Sequence, residues 1–123
     1  MSKVLIIEDS ATTRAVIKVY LMGHQLEFLE ATNGMDGLQL ARKERPAVIV
    51  LDLKMPGMDG FTFCRTARQD PRLKNTPISL LTGSKGEEIK REALNAGASY
   101  FLNKPIDERE IADRILACLE KAK

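Results

Sequence analysis

Long apolar runs are missing from this sequence. Nowhere do eighteen apolar residues follow one another, so no membrane-crossing helix is expected. The opening stretch MSKVLIIEDS has neither the extended apolar region nor the cleavage site of a secretory signal, and a cytoplasmic location without a membrane partner is expected. Cysteine is scarce: Cys64 and Cys118 are the only two, they lie far apart, and they match no metal or redox spacing. Both sit among apolar helical positions and are read as packing residues. The single histidine, His24, stands near a helix end with no partner motif, so Cys–His catalysis has no support. A dominant charge is lacking too. The formal charge of +2 and the absence of a dense Lys/Arg run give no reason to expect nucleic acid or an anionic surface as partner.

What remains is an ordinary globular balance, 44% apolar and 29% charged over 123 residues, the size of one domain spanning 1–123. Five short apolar runs recur: VLII (4–7), FLEA (28–31), AVIVL (47–51), ISLL (78–81) and SYFL (99–102). The first, third and fourth are continuous, as expected of strands covered on both faces. Helical spacing fills the intervals. It is marked by Val16, Val19 and Tyr20, then Leu38 and Ala41, then Phe63, Cys64 and Ala67. Ile89, Ala93 and Ala96 mark the fourth helix, and Ile111, Ile115 and Leu119 the fifth. Gly23, Pro46, Pro71 and Gly97 fall where the first four helices should stop. The expected fold is α/β, a (βα)5 doubly wound five-stranded parallel sheet with helices on both faces.

In open α/β sheets, ligands bind beyond the carboxyl ends of the strands. There the sequence offers Glu8 and Asp9 after the first strand, Asp52 at the end of the third, Thr82 after the fourth and Lys104 before Pro105 after the fifth. The second strand offers only TNG. Clustered carboxylates repel, and a hard divalent cation such as Mg2+ offsets them with oxygen ligands. Asp52 then has the character of a nucleophile in aspartyl-phosphate chemistry, with Thr82 and Lys104 stabilising the transferring phosphoryl oxygens. The loop LKMPGMDG (53–60) turns the chain away and leaves the Lys54 carbonyl for the metal. Each residue has a plainer reading on its own. Asp9 or Ser10 could simply cap a helix, Thr82 could be a turn residue and Lys104 a solvated lysine. Capping, however, predicts neither a lysine before a proline nor a lone aspartate in a buried strand.

On the pieces EDS (8–10), VLDLKMPGMDG (50–60), LTG (81–83), GASYFLNKPI (97–106) and DPRLKNTPI (70–78), the sequence resembles the receiver domain of bacterial two-component response regulators over essentially its full length. The resemblance implies the flavodoxin-like strand order 2-1-3-4-5. It also implies Asp52 as phospho-acceptor and Mg2+ held by Glu8, Asp9, Asp52 and the Lys54 carbonyl. Thr82 becomes the switch hydroxyl, Lys104 the phosphoryl contact, the Lys104–Pro105 bond cis and Phe101 the switch aromatic. The implied donor is a histidine kinase or histidine phosphotransfer protein. A downstream protein target is expected on the surface of the fourth helix, fifth strand and fifth helix. A monomer without an effector segment is expected. Position 101 is Phe where the family commonly has Tyr, and a plain core Phe is an equal reading. Tyr100 should face the other way. Gly83 replaces the usual Ala and is expected to loosen the turn after Thr82, while Lys54 and Ser84 flank the site.

Other functions fit less well. A haloacid-dehalogenase phosphatase needs a second Asp two residues after the first, where this chain has Lys54. A dinucleotide-binding enzyme needs a Gly-rich first turn, and a flavodoxin-like electron carrier a Ser/Thr/Gly-rich one; neither occurs in IIEDSATTR. A receiver that binds partners without phosphorylation remains the alternative within the fold. The expectation is a signalling switch, not an enzyme on external substrates, that promotes its own phosphorylation and dephosphorylation.

Overall fold

The apolar runs form strands and the periodic intervals form helices. The computed structural model describes residues 1–84 and 86–121. Its elements are β1 (Ser2–Ile7), α1 (Ala11–Tyr20), β2 (Leu26–Ala31), α2 (Gly34–Glu44), β3 (Val48–Asp52), α3 (Gly60–Gln69), β4 (Ile78–Thr82), α4 (Glu87–Ala96), β5 (Tyr100–Asn103) and α5 (Glu108–Lys121). All strand pairs are parallel, and the sheet order is β2-β1-β3-β4-β5. The sheet is therefore doubly wound. The chain builds outward from β1 to β2 and then returns to the other side for β3, which puts the topological switch point between β1 and β3.

Side chains of a strand alternate between the two faces, and the core divides accordingly. Leu5, Ile7, Ile49, Leu51, Ile78 and Leu80 pack with Phe63, Ala67 and Ala93 on the α2–α3–α4 side. Val4, Ile6, Val48, Val50, Leu81 and Leu102 pack with Ile17, Ile111 and Ile115 on the α1–α5 side. Both faces of the central strands are covered, which explains why their sequences run apolar without alternation. Each large aliphatic side chain buried this way is worth about 1.5–3 kcal/mol. Cys64 and Cys118 are both buried, and His24 is exposed. Tyr100 and Phe101 do face opposite layers.

Two expectations need correction. The apolar face of α1 is carried by Ile17, with Leu21 just beyond it, while Val19 is 60% exposed. The segment VIKVYL (16–21) has apolar residues on several faces, and contact with α5 selects the Ile17–Leu21 spacing. Thr82 is the last residue of β4, not the residue after it, while Asp52 ends β3 as expected. Among the described residues no helix is long and apolar enough to cross a membrane.

Candidate functional site

Register assembles the site. Ile7 pairs with Leu51, so the residue after β1, Glu8, lies beside Asp52 at the end of β3. Asp52 pairs with Leu81 and Thr82 with Asn103. The backbone N–H of Lys104 donates to the Thr82 carbonyl at 2.8 Å. Thus β1, β3, β4 and β5 deliver Glu8, Asp52, Thr82 and Lys104 to one edge. Glu8 and Asp52 are buried, 2% and 6% exposed, whereas Asp9 is exposed. The cap of α1 is Ser10, whose side chain accepts from Thr13 N–H. Asp9 is therefore not the capping residue.

The Lys104 ammonium lies 3.0 Å from Asp52 Oδ1 and 3.4 Å from Glu8 Oε2. Burial pushes the Glu8 carboxyl up to about 7; the Asp52 charge adds to this and Lys104 opposes it. Burial also works against the Lys104 charge, but its contacts with Asp52 and then Glu8 outweigh it and raise the ammonium above the ordinary lysine range. One cation thus faces two buried acids and leaves negative charge uncompensated. Carboxylate oxygens of Glu8, Asp9 and Asp52 lie within 4.8 Å of one another. Opposite ligands of an octahedral Mg2+ sit about 4.2 Å apart, and the ion keeps several waters. Hard anionic oxygens at this spread, with Asp9 on the open side, fit that ion.

The loop after Asp52 is held close by its glycines. Leu53 N–H donates to the Leu81 carbonyl, and Gly60 N–H returns to the Leu53 carbonyl, both at 2.8 Å. A Cβ on Gly60 would meet Leu53 Cα at 2.9 Å and Leu80 Cδ1 at 2.6 Å, so only glycine allows α3 to start this near the end of β3. Gly57 has φ +81, a left-handed conformation that costs glycine least. Leu53 and Met55 are buried and anchor the loop, whereas the Lys54 side chain is exposed. Asp59 caps α3 by accepting from Thr62 N–H.

Thr82 is 2% exposed, and its Oγ1 accepts from Ser84 N–H at 3.0 Å. Phe101 pairs with Leu80 and is half-buried against the α2–α3–α4 layer. Thr82 is two residues beyond Leu80, so it shares a face with Phe101 across adjacent strands. A Cβ at Gly83 would meet nothing within 4 Å; steric need does not explain that glycine. The Lys104–Pro105 bond is cis.

Sequence reasoning missed two residues here. Arg14, one turn into α1, donates from Nη1 to the Glu8 carbonyl at 2.7 Å and from Nε to Glu30 Oε1 at 2.9 Å. With Glu8 N–H donating to the Ala31 carbonyl, this gives β2 a part in the site that TNG does not suggest. Asn103 donates from Nδ2 to the carbonyls of Ser84 (3.0 Å) and Thr82 (3.4 Å). The only available hints were an arginine four residues after a capping serine and an amide beside Lys104.

Residues 4–116 match the family described as "Response regulator receiver domain". The chain is 35% identical over 119 residues to Protein PilH of Pseudomonas aeruginosa, covering 97% of this chain and 98% of PilH. It is 34% identical over 114 residues to Response regulator PleD of Caulobacter vibrioides, covering 93% of this chain and 25% of PleD; the chain therefore spans only about a quarter of that relative. Among solved structures, the chemotaxis response regulator CheY4 of Vibrio cholerae superposes with a TM-score of 0.89 at 34% identity, over 97% of this chain and 99% of CheY4.

Proposed function

The chain belongs to the response regulator receiver domains of two-component systems, signalling switches whose general function is phosphorylation-dependent, and from that premise we propose that Asp52 is its phosphoryl acceptor. The observation that carries this reading is the Lys104 ammonium 3.0 Å from Asp52 Oδ1, inside a cluster of three carboxylates. Residues 1–123 are read as one receiver domain.

Receiver domains bind Mg2+ at an acidic pocket. Here Glu8, Asp9 and Asp52, with the Lys54 carbonyl, are the ligands proposed. The bound ion supplies charge neutralisation for the phosphoryl oxygens. An Asp52 carboxylate oxygen forms a bond to phosphorus as the bond from phosphorus to the donor's leaving atom breaks, and the leaving group takes its proton from solvent. Lys104 moves from its carboxylate partners to a phosphoryl oxygen. Thr82 donates its hydroxyl proton to another. Hydrolysis of the acyl phosphate by water regenerates the carboxylate, so the domain promotes both its own phosphorylation and its reversal.

Receiver domains exchange phosphoryl groups with histidine kinases or phosphotransfer proteins and contact downstream targets. The output surface proposed is α4, β5 and α5. As Thr82 is drawn toward the phosphoryl group, Phe101 rotates into the vacated space on the same face and the surface changes. Leu94, 48% exposed on α4, and Tyr100, with the Arg114 guanidinium 5.2 Å from its ring centre, belong to that surface. Phosphorylation shifts this equilibrium only by its differential interaction with the two arrangements. A cytoplasmic monomer acting through protein contacts, without nucleic acid or membrane partners, completes the reading.

The test is intact mass after incubation with acetyl phosphate, with and without Mg2+, on wild type and Asp52→Asn. A metal-dependent gain of one phosphoryl group, absent from the variant, is expected. No gain in wild type, with the fold intact and Mg2+ bound, overturns the reading and favours a receiver that works unphosphorylated.

A further inference from the structure

Thr82 is not free to turn toward Asp52. Its Oγ1 is engaged by Ser84 N–H at 3.0 Å, so moving that oxygen means breaking this bond or carrying Ser84 along. Ser84 is itself tied: its carbonyl accepts from Asn103 Nδ2 at 3.0 Å, and the same amide nitrogen lies 3.4 Å from the Thr82 carbonyl. The backbone of Thr82 is fixed further by Lys104 N–H at 2.8 Å. Asn103 thus closes a ring that runs from the Thr82 hydroxyl through Ser84 and back to the end of β5. Among the described residues it is the only side chain that bonds to both carbonyls flanking Gly83.

The position gives the ring meaning. Asn103 pairs with Thr82 across β4 and β5, and it stands between Phe101 and Lys104 in sequence. Alternation puts Asn103 on the same face as Phe101. A Cβ on Gly83 would touch nothing, so packing against that position does not hold the turn. Hydrogen bonds do, and the Asn103 amide provides two of them.

We infer that Asn103 is a positioning residue, a latch that holds the Thr82–Ser84 turn in its resting arrangement and sets how readily Asp52 is phosphorylated. The inference rests on the reading of Asp52 and Thr82 given above. Releasing the latch removes interactions made in the resting arrangement only, so it shifts the population toward the arrangement in which Thr82 meets the phosphoryl group. One net hydrogen bond changes such a ratio about fivefold.

The experiment measures initial phosphorylation rates with acetyl phosphate and Mg2+, by intact mass, for wild type, Asn103→Ala and Asn103→Ser. Asn103→Ala is expected to be phosphorylated about fivefold faster than wild type. Asn103→Ser, which keeps a donor, should fall between them. A merely structural role predicts a loss of rate together with a lower unfolding midpoint. The same samples give amide NMR spectra of wild type with and without beryllium fluoride, a phosphoryl mimic; the Ser84 N–H and Asn103 side-chain amide signals should both move. An unchanged or slower rate in a folded Asn103→Ala protein overturns the inference, as do wild-type Asn103 amide signals that stay in place when the mimic binds. If the alanine protein does not fold, that wild-type spectrum decides alone. Absence of phosphorylation in wild type counts against the acceptor reading instead, which keeps the two failures distinct.

Discussion

Raising the pH should weaken the metal-free protein, and Glu8 is the reason. Its carboxyl is buried beside Asp52 and titrates at about 7 against 4.5 for an unhindered glutamate. The folded state therefore holds a proton that the unfolded chain has already released between those values. Stability falls as pH rises through 4.5, continues to fall up to about 7, and levels off above it. At 1.36 kcal/mol per unit, the shift from 4.5 to about 7 is a loss on the order of 3 kcal/mol. Other shifted carboxylates act elsewhere on the scale. Arg72 first, then Arg42, hold the Asp70 carboxyl well below the usual range, and Lys18 and Lys3 lower Glu30 and Glu44. Their stabilisation is present above the unfolded value and disappears only in acid, below the window that Glu8 controls.

The assay is urea unfolding at about pH 5 and pH 8 with a chelator present, for wild type and Glu8→Gln. The wild-type midpoint should drop at the higher pH, and the variant should lose most of that slope. Mg2+ at about 100 times its dissociation constant should return about 2.7 kcal/mol at pH 8, and much less at pH 5, where the cation must displace the Glu8 proton. A wild-type stability that is flat or rising across this interval without metal refutes the reasoning. So does a Glu8→Gln protein with an unchanged slope.

Three further outcomes follow from packing. Arg68 donates to the carbonyls of Leu73, Lys74, Thr76 and Gly97 and to Ser99 Oγ; Arg68→Ala should cost about 2 kcal/mol in urea unfolding because the part-buried carbonyls of Leu73, Thr76 and Gly97 lose this charged donor. Gly60→Ala drives a Cβ to 2.9 Å from Leu53 Cα, so it should cost about 2 kcal/mol and weaken Mg2+ binding by calorimetry, since the strained backbone adjoins Asp52. Ser79 is fully buried, and its hydroxyl has no hydrogen-bond partner among the described residues; Ser79→Ala should leave the thermal midpoint unchanged or raise it, by up to about 1 kcal/mol in stability.

What was legible in the sequence was whatever leaves a period or a position. The strands could be read because both faces of β1, β3 and β4 are buried, which forces continuous apolar runs. The acidic pair, Asp52 and Lys104 could be read because parallel strands all end on the same edge, so residues distant in sequence share one place by topology alone. The phase of α1 was ambiguous for the opposite reason: VIKVYL offers apolar residues in more directions than one, and only α5 decides between them. Arg14, Arg68 and Asn103 were invisible as participants because each acts through backbone carbonyls, and a carbonyl has no residue identity to match. That division bears on the energetics. The visible residues are the ones that break ordinary folding rules, two acids buried side by side with one lysine, and such violations concentrate where function demands them. The invisible ones are polar ties to backbone, Arg14 and Asn103 at that edge and Arg68 at the opposite end of the sheet. Replacing one of the two buried acids should therefore relieve the fold while removing the chemistry, whereas replacing a tie should loosen the fold or release the switch. Glu8→Gln and Asn103→Ala represent these two classes, and they should move stability and phosphorylation rate in different combinations.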